Sequence, residues 1–479
     1  MPSTPRSQKN WPTTATEGGR TDVWTECSTL NANPSTSNSY RLVSSDQRFK
    51  LFSDPVHGFI SVPKNIIMDL IQTPEVQRLR RIRQLGVGHL VFPGAEHSRF
   101  NHALGAMALM QDAITSLSEK GTPIAPEEQT AALAVALLHD VGHGAFSHTL
   151  EHELIEDFSH EDMSRVLLVA LNERMDGALD TALAIFDDDY GRPFFHQLVS
   201  SQLDMDRLDY LRRDSFYTGV AEGEVGVQRL LKTMRVHPPQ GGPDAEVMIE
   251  AKGIYAVENF LISRRLMYWQ VYLHKTVLAG DELLRGALRR AQEHLDGSGA
   301  PDWLQRGSRS LLFFLRNDVH VDQIDAPEVR DHYLQLDDTD ILFSLKQWMK
   351  GPDPILADLC RRFINRVFLR VTFLPEFPAQ DQLETWRRQV AEWLVDQNLV
   401  AQTEARSAAR HYLSVNVSRH TAYDSDQELI GILGRDGTVQ ELSEMADTAT
   451  ISDLTEFVEK PYICFPKPVD LDVPAVAGD

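Results

Sequence analysis

Three cysteines in 479 residues, Cys27, Cys360 and Cys464, are too few and too widely separated to build a disulfide framework, and their odd number suits free thiols. A reducing, cytoplasmic setting is therefore expected. The longest apolar runs are far too short to cross a bilayer, and Met1-Pro2-Ser3-Thr4-Pro5-Arg6 offers no apolar core for a secretory signal. Positive charge is also scarce. The chain has 47 Lys and Arg against 69 Asp and Glu, a formal net charge of −22 that repels polyanions and argues against a general nucleic-acid partner. What is plentiful is apolar side chain, 42% of the sequence, enough for one large domain and a smaller one beside it.

Residues 1–45 are poor in apolar positions and rich in Ser, Thr, Asn and Gly, which predicts a disordered arm. From Val56 to Arg235 the apolar spacing is mostly helical. Val236 to Lys252, with Pro238-Pro239-Gln240-Gly241-Gly242-Pro243 inside it, reads as a hairpin. A long helix is expected from about Ile254 to Leu295. Helical patterns around Asp340 to Val367 and Gln382 to Val400 then alternate with two β-like runs, Phe368 to Phe373 and Leu429 to Leu433. Gly434-Arg435-Asp436-Gly437 reads as a turn. The division expected is a mainly α core over 46–335 and a smaller α+β region over 336–479.

His139-Asp140 closes the apolar run Ala131-Ala132-Leu133-Ala134-Val135-Ala136-Leu137-Leu138 and is followed by Val141-Gly142-His143-Gly144. An imidazole and a carboxylate at the end of a buried helix are costly unless something compensates them, and a divalent cation does so. A hydrolytic metal needs several protein ligands and an open position. His102, near the start of the next helical pattern upstream, is one candidate. Downstream, Asp206 and Asp209 share a helix face while Asp204 lies off it, and spacing alone does not choose between the first two.

These residues fall in blocks that resemble a known family. The blocks are Lys50 to Gly58, Gln77 to Gly86, Val91 to His102, His139 to His148 with His160-Glu161, and Asp204 to Tyr210. In this order they are similar to the HD-domain superfamily, and within it to the deoxynucleoside triphosphate triphosphohydrolases related to the vertebrate sterile-alpha-motif/HD-domain enzyme. The likeness covers about Lys50 to Lys275, and no sterile-alpha-motif domain is expected. It implies a helical HD core and one divalent metal per active site, held by His102, His139, Asp140 and Asp206. Mn, Fe, Zn, Ni or Mg would serve, with Mg accompanying the nucleotide. On this pattern Asp206→Ala should remove the metal and Asp209→Ala should spare it.

The resemblance also implies the reaction, attack of water at the alpha phosphate to give deoxynucleoside and inorganic triphosphate. His143 and His148 would face the phosphates, His160 would be the general acid, and Glu151 would orient an imidazole where relatives carry Asp. His152 is read as an exposed helix histidine. Arg99, Arg207 and Arg264 would contact phosphate, with Arg207 standing where relatives often have Lys. Gln84 and Leu85 would approach the sugar, and Tyr210, Asp214 and Tyr272 would close the pocket. Tyr268 stands where His is expected. Lys50, Gln77 and Arg80 match positions for an activating guanine nucleotide, although Gln72 replaces the Asp that would read guanine. A homo-oligomer, as a tetramer, is the family expectation.

Rival chemistries are weighed the same way. An HD-type cyclic-dinucleotide phosphodiesterase should show Gly-Tyr-Pro downstream and a guanosine-tetraphosphate hydrolase a Glu-Asp pair after His-Asp, and neither is present. Another nucleotide or phosphate ester as substrate, or an HD-fold nucleic-acid scaffold, are the alternatives.

Overall fold

The computed structural model describes residues 49–295, 301–420, 429–445 and 458–474, so the expectation for residues 1–45 lies outside the described residues, as does Cys27. The fold is mainly α. Its centre is the Arg99–Glu119 helix, packed against Pro126–Leu138 on one side and Met205–Thr218 on another. Ala131 to Leu138 is buried on every side, which is why this segment reads as a continuous apolar run instead of an amphipathic stripe. Each such Leu or Val removed from water contributes roughly 1.5–3 kcal/mol. The Met205–Thr218 helix starts where it does because Asp204 caps it, with Oδ1 accepting from Arg207 N at 2.6 Å. That cap fixes Asp206 in the first turn.

Three small sheets surround the helices. Phe49–Asp54 and Gly58–Pro63 form an antiparallel hairpin, where the sequence suggested helix from Val56 onward. Its turn is set by Asp54, whose Oδ1 accepts from the backbone N–H of Val56 and of His57, each at 2.9 Å, and by Gly58 at φ +76. The hairpin expected over Val236 to Lys252 is present as Met234–His237 paired with Glu246–Glu250. Gly431–Leu433 joins the latter strand in parallel, then turns back through residues 434–437 to Val439–Glu441. The third sheet orders Arg370–Phe373, Val458–Phe465 and Ser414–His420.

The long helix expected from Ile254 to Leu295 is broken. It runs as Ile254–Met267, widens into a π-helical turn over Tyr268–Tyr272, and restarts as Lys275–Glu293 with His274 Nδ1 accepting from Thr276 N at 3.1 Å. The reason is tertiary. The wide turn brings Tyr272 Oη within 2.7 Å of Asp214 Oδ2, a bond made across the cavity described below. The pattern over Asp340 to Val367 likewise divides into Asp338–Trp348 and Pro354–Ile364, with Asp353 capping the second, and Gln380–Asp396 follows.

The described residues belong to one compact unit. The later part of the chain reaches into the earlier part through Asp338, which is buried and accepts from Phe146 N at 2.8 Å and Arg83 N at 3.0 Å. No helix among the described residues is long and apolar enough to cross a membrane.

Candidate metal centre and catalytic cavity

His102 projects from the first turn of Arg99–Glu119, His139 follows the last turn of Pro126–Leu138, Asp140 sits one residue later, and Asp206 lies in the first turn of Met205–Thr218. Packing the three helices together brings one donor atom from each of the four residues within 4.8 Å of all the others. His102 Nε2 lies 3.0 Å from Asp206 Oδ1, and His139 Nε2 lies 3.5 Å from the same oxygen and 3.6 Å from Asp140 Oδ1.

The donor set fits a divalent cation on a direct test. His139 Nδ1 donates to Ala136 O at 2.9 Å and His102 Nδ1 to Asp209 Oδ2 at 2.8 Å, so each ring turns its Nε2 lone pair inward. Both Nε2 atoms are buried and lack a hydrogen-bond partner. Burial alone would lower the two imidazole pKa values. Asp206 and Asp209 beside His102, and Asp140 and Asp206 beside His139, override it and raise them to about 10 and about 9. The carboxylates thus favour positive charge at this point, which a bound divalent cation would supply.

Asp209 is no bystander. Its Oδ2 accepts from His102, and Arg213 grips it through Nε at 2.9 Å and Nη2 at 3.0 Å. His57, carried by the hairpin turn, donates to Oδ1 at 2.5 Å, and Arg213 is held in turn by Asp54 at 2.7 Å. This is a carboxylate–imidazole relay that fixes the tautomer of His102. Gly105 makes room for it, because a Cβ there would stand 2.0 Å from Asp209 Oδ1. Asp206, not Asp209, belongs to the four-residue group, while Asp209 holds the ring of His102 from the other side.

Three histidines lie beside the group. His143 and His160 stack with ring centroids 3.7 Å apart, and His148 stands 5.1 and 5.2 Å from them. Glu151 grips two of these at once, accepting from His148 Nδ1 at 2.8 Å through Oε2 and from His160 Nδ1 at 2.7 Å through Oε1. The extra methylene relative to Asp does not prevent orientation. Burial opposes charge on His160, but the Glu151 hydrogen bond and the Asp140 charge raise its pKa overall. Burial and then the Arg99 charge hold His143 well below the usual range, so it is neutral. His152 is exposed, as its plain reading had it.

The loop bearing these histidines is tightly specified. Gly142 has no space for a side chain, since a Cβ would meet His160 O at 2.2 Å, and its N–H donates to Ser164 Oγ at 2.9 Å. Phe146 and Ser147 both adopt positive φ, 54° and 49°, a strained conformation for non-glycine residues. Asp338 restrains the first through its backbone, and Arg99 Nε donates to Ser147 Oγ at 2.8 Å.

One cavity of about 500 Å³ opens onto the group. All eight residues expected at the substrate line it: Gln84, Leu85, Arg99, Arg207, Tyr210, Asp214, Arg264 and Tyr272. His97 was not assigned a role from sequence, yet its Nε2 donates to Asp214 Oδ1 at 2.7 Å opposite Tyr272. Arg99 Nη1 donates to Asp140 Oδ2 at 2.7 Å, and Arg207 pairs with Asp204. Lys50, Gln77 and Arg80 do not line this cavity. Lys50 is exposed on its strand, and Arg80 Nε donates to Gln77 Oε1 at 2.9 Å while lying over Phe100.

Comparison with known proteins places the same stretch of chain in a known family. The sequence profile of the HD domain matches residues 99–210, the stretch that carries all four residues of the metal group, and that of the HD associated region matches residues 225–320. An uncharacterized protein of Bacillus subtilis, YwfO, is 34% identical over 416 residues, 83% of this chain and 88% of that one. Deoxynucleoside triphosphate triphosphohydrolase SAMHD1 of Danio rerio is 25% identical over 72% of this chain and 60% of its own length. The human protein of that name is 27% identical over 52% and 46%. The chain thus spans about half the length of the SAMHD1 proteins it matches. Among solved structures, a phosphohydrolase of Bacteroides thetaiotaomicron superposes with a TM-score of 0.80 at 41% identity, over 88% of this chain and all of that one. The chain belongs to the HD-domain superfamily of phosphohydrolases, in the family related to SAMHD1.

Proposed function

We propose that this protein hydrolyses deoxynucleoside triphosphates to deoxynucleoside and inorganic triphosphate. The observation that carries the reading is the shared cavity. Asp140 and Asp206 of a His/Asp group fit for a divalent cation, three histidines, four arginines and three tyrosines all line one space large enough for a nucleotide. His102, His139, Asp140 and Asp206 would hold the metal, which when bound supplies Lewis acidity toward a phosphoryl group and lowers the pKa of water.

The remaining steps belong to side chains. Arg99, Arg207 and Arg264 set positive charge at the phosphate end, where the transferred group spreads charge over its oxygens. Neutral His143 offers a polar contact that adds no charge. His160, whose pKa the Glu151 hydrogen bond raises, gives a proton to the departing 5′ oxygen, while His148 shares the same Glu151 anchor. Asp214, fixed between His97 and Tyr272, and Leu85 beside Gln84 shape the sugar pocket, and close packing there disfavours a ribose hydroxyl.

The family analogy adds a homo-tetramer, a cytoplasmic setting and an activating nucleotide near Lys50, Gln77 and Arg80. Phe49, Leu51 and Phe59 share one exposed hairpin face and give an assembly apolar surface to bury.

The test is incubation of the purified protein with Mn²⁺ and each of the four deoxynucleoside triphosphates, singly and mixed, with ion-exchange separation of products. Deoxynucleoside with intact triphosphate is expected. Monophosphate, diphosphate or no product would contradict the reading and direct attention to other phosphorylated substrates. A related expectation concerns Asp209. Asp209→Asn should weaken metal affinity roughly 10- to 100-fold by loosening His102, without abolishing binding, as titration against a fluorescent chelator would measure.

A further inference from the structure

The Lys275–Glu293 helix turns a stripe of residues four apart, Val277, Asp281 and Arg285, into the cavity. None of the roles above uses them. Asp281 Oδ1 accepts from Thr149 Oγ1 at 2.8 Å. Arg285 Nε donates to Thr149 O at 3.0 Å and Nη1 to Glu282 Oε1 at 2.8 Å. Thr149 directly follows His148, so this wall is fastened to the histidine loop and its geometry is set before any ligand arrives. Burial pushes the Asp281 carboxyl up to about 6, against the lowering effects of Arg285 and Thr149, so the group carries a desolvation cost that a hydrogen-bonding ligand would relieve.

On the reading above, the triphosphate takes the metal and arginine end, and the sugar takes the Gln84, Tyr210, Asp214 and Tyr272 side. The part of a nucleotide left for the third wall is the base. We propose that Asp281 reads the edge of the nucleobase, with Thr149 and Arg285 fixing its orientation, and that guanine is the base preferred. A carboxylate accepts only, and guanine alone presents two adjacent N–H donors, at N1 and N2, on its pairing edge. Adenine and cytosine offer one amino group beside a ring acceptor. Thymine sets two carbonyls about a single N–H and is the least favoured.

This inference rests on the deoxynucleoside triphosphate reading, and the experiment separates the two. An equimolar mixture of the four triphosphates is supplied, so that any nucleotide activation acts on all alike, and initial rates of deoxynucleoside release give relative kcat/KM. Deoxyguanosine should lead for the wild type. In Asp281→Asn its lead over deoxythymidine should fall about 10-fold or more, the discrimination expected of one paired contact. Inhibition by inorganic triphosphate, which occupies only the phosphate end, should not change. Thr149→Val, which removes the hydroxyl holding Asp281, should shift the ratio in the same direction and serves if Asp281→Asn fails to fold. A wild type that does not favour deoxyguanosine, or a preference that survives the substitutions, overturns the inference. A wild type that releases no deoxynucleoside at all overturns the underlying reading instead.

Discussion

Asp206→Ala should abolish stoichiometric metal binding and lower turnover roughly a thousandfold or more, since Lewis-acid stabilisation supplies several kcal/mol of the barrier. Its Oδ1 is the oxygen nearest both inward-facing imidazoles, at 3.0 Å from His102 Nε2 and 3.5 Å from His139 Nε2. Removing it leaves two imidazoles and Asp140, too little negative charge and too few donors to hold a hydrolytic ion firmly. The fold should survive, because the lost carboxylate is also one reason the imidazoles hold protons. With it gone both rings can become neutral at lower pH. Metal analysis after gel filtration, together with far-UV circular dichroism, separates loss of the site from loss of the protein. The same electrostatics predict pH dependence in the wild type. His102 and His139, raised to about 10 and about 9 by their carboxylates, must release protons for a metal to bind. Apparent affinity should therefore climb as pH rises through neutrality, and calorimetry in buffers of different ionisation enthalpy should detect the released protons.

The second large effect is expected at Glu151. One carboxylate holds both His148 and His160, at 2.8 and 2.7 Å, and those two imidazoles in return hold Glu151 well below the usual carboxylate range. Glu151→Gln removes a charge that raises the His160 pKa, and an amide cannot accept from both rings with equal strength. Turnover should fall about 10²- to 10³-fold, within the span of general acid catalysis, while metal content is retained. The direction of the pH effect follows from the shift. His160 is raised in the wild type, so its acid form persists to higher pH. Losing Glu151 lowers that pKa, and the alkaline limb of the kcat profile should move toward lower pH. A profile that keeps its limb while losing amplitude would assign Glu151 a purely structural part.

Much of this centre is legible in the sequence because each piece is a local signal. A buried apolar run closing on His139-Asp140, a second helix starting near His102 and an acidic helix after Asp204 together restrict the choices to a few side chains. What spacing could not decide was Asp206 against Asp209. Both face His102, one through Nε2 and the other through Nδ1, so a three-residue separation on one helix serves the metal position and the relay equally well. The relay also draws on His57 and Arg213, which meet Asp209 only once the first hairpin has folded over that helix. That hairpin was missed because its turn depends on Asp54 accepting from its own backbone, which apolar periodicity does not register. The break at Tyr268–Tyr272 contains neither Gly nor Pro, and the bond from Tyr272 to Asp214 that accounts for it joins residues 58 apart. Asp281 and Arg285 look like part of an ordinary polar helix face until Thr149 is packed against them.

The most direct measurement of the central claim is hydrolysis of a deoxynucleoside triphosphate in ¹⁸O-labelled water, with mass analysis of both products. Attack at the alpha phosphorus with departure of the 5′ oxygen, as the proposed reaction with His160 as general acid predicts, puts the label in inorganic triphosphate and leaves the deoxynucleoside unlabelled. Label in the 5′ hydroxyl would mean carbon–oxygen cleavage. Label in orthophosphate or pyrophosphate would mean attack farther along the chain, and either result would contradict the account.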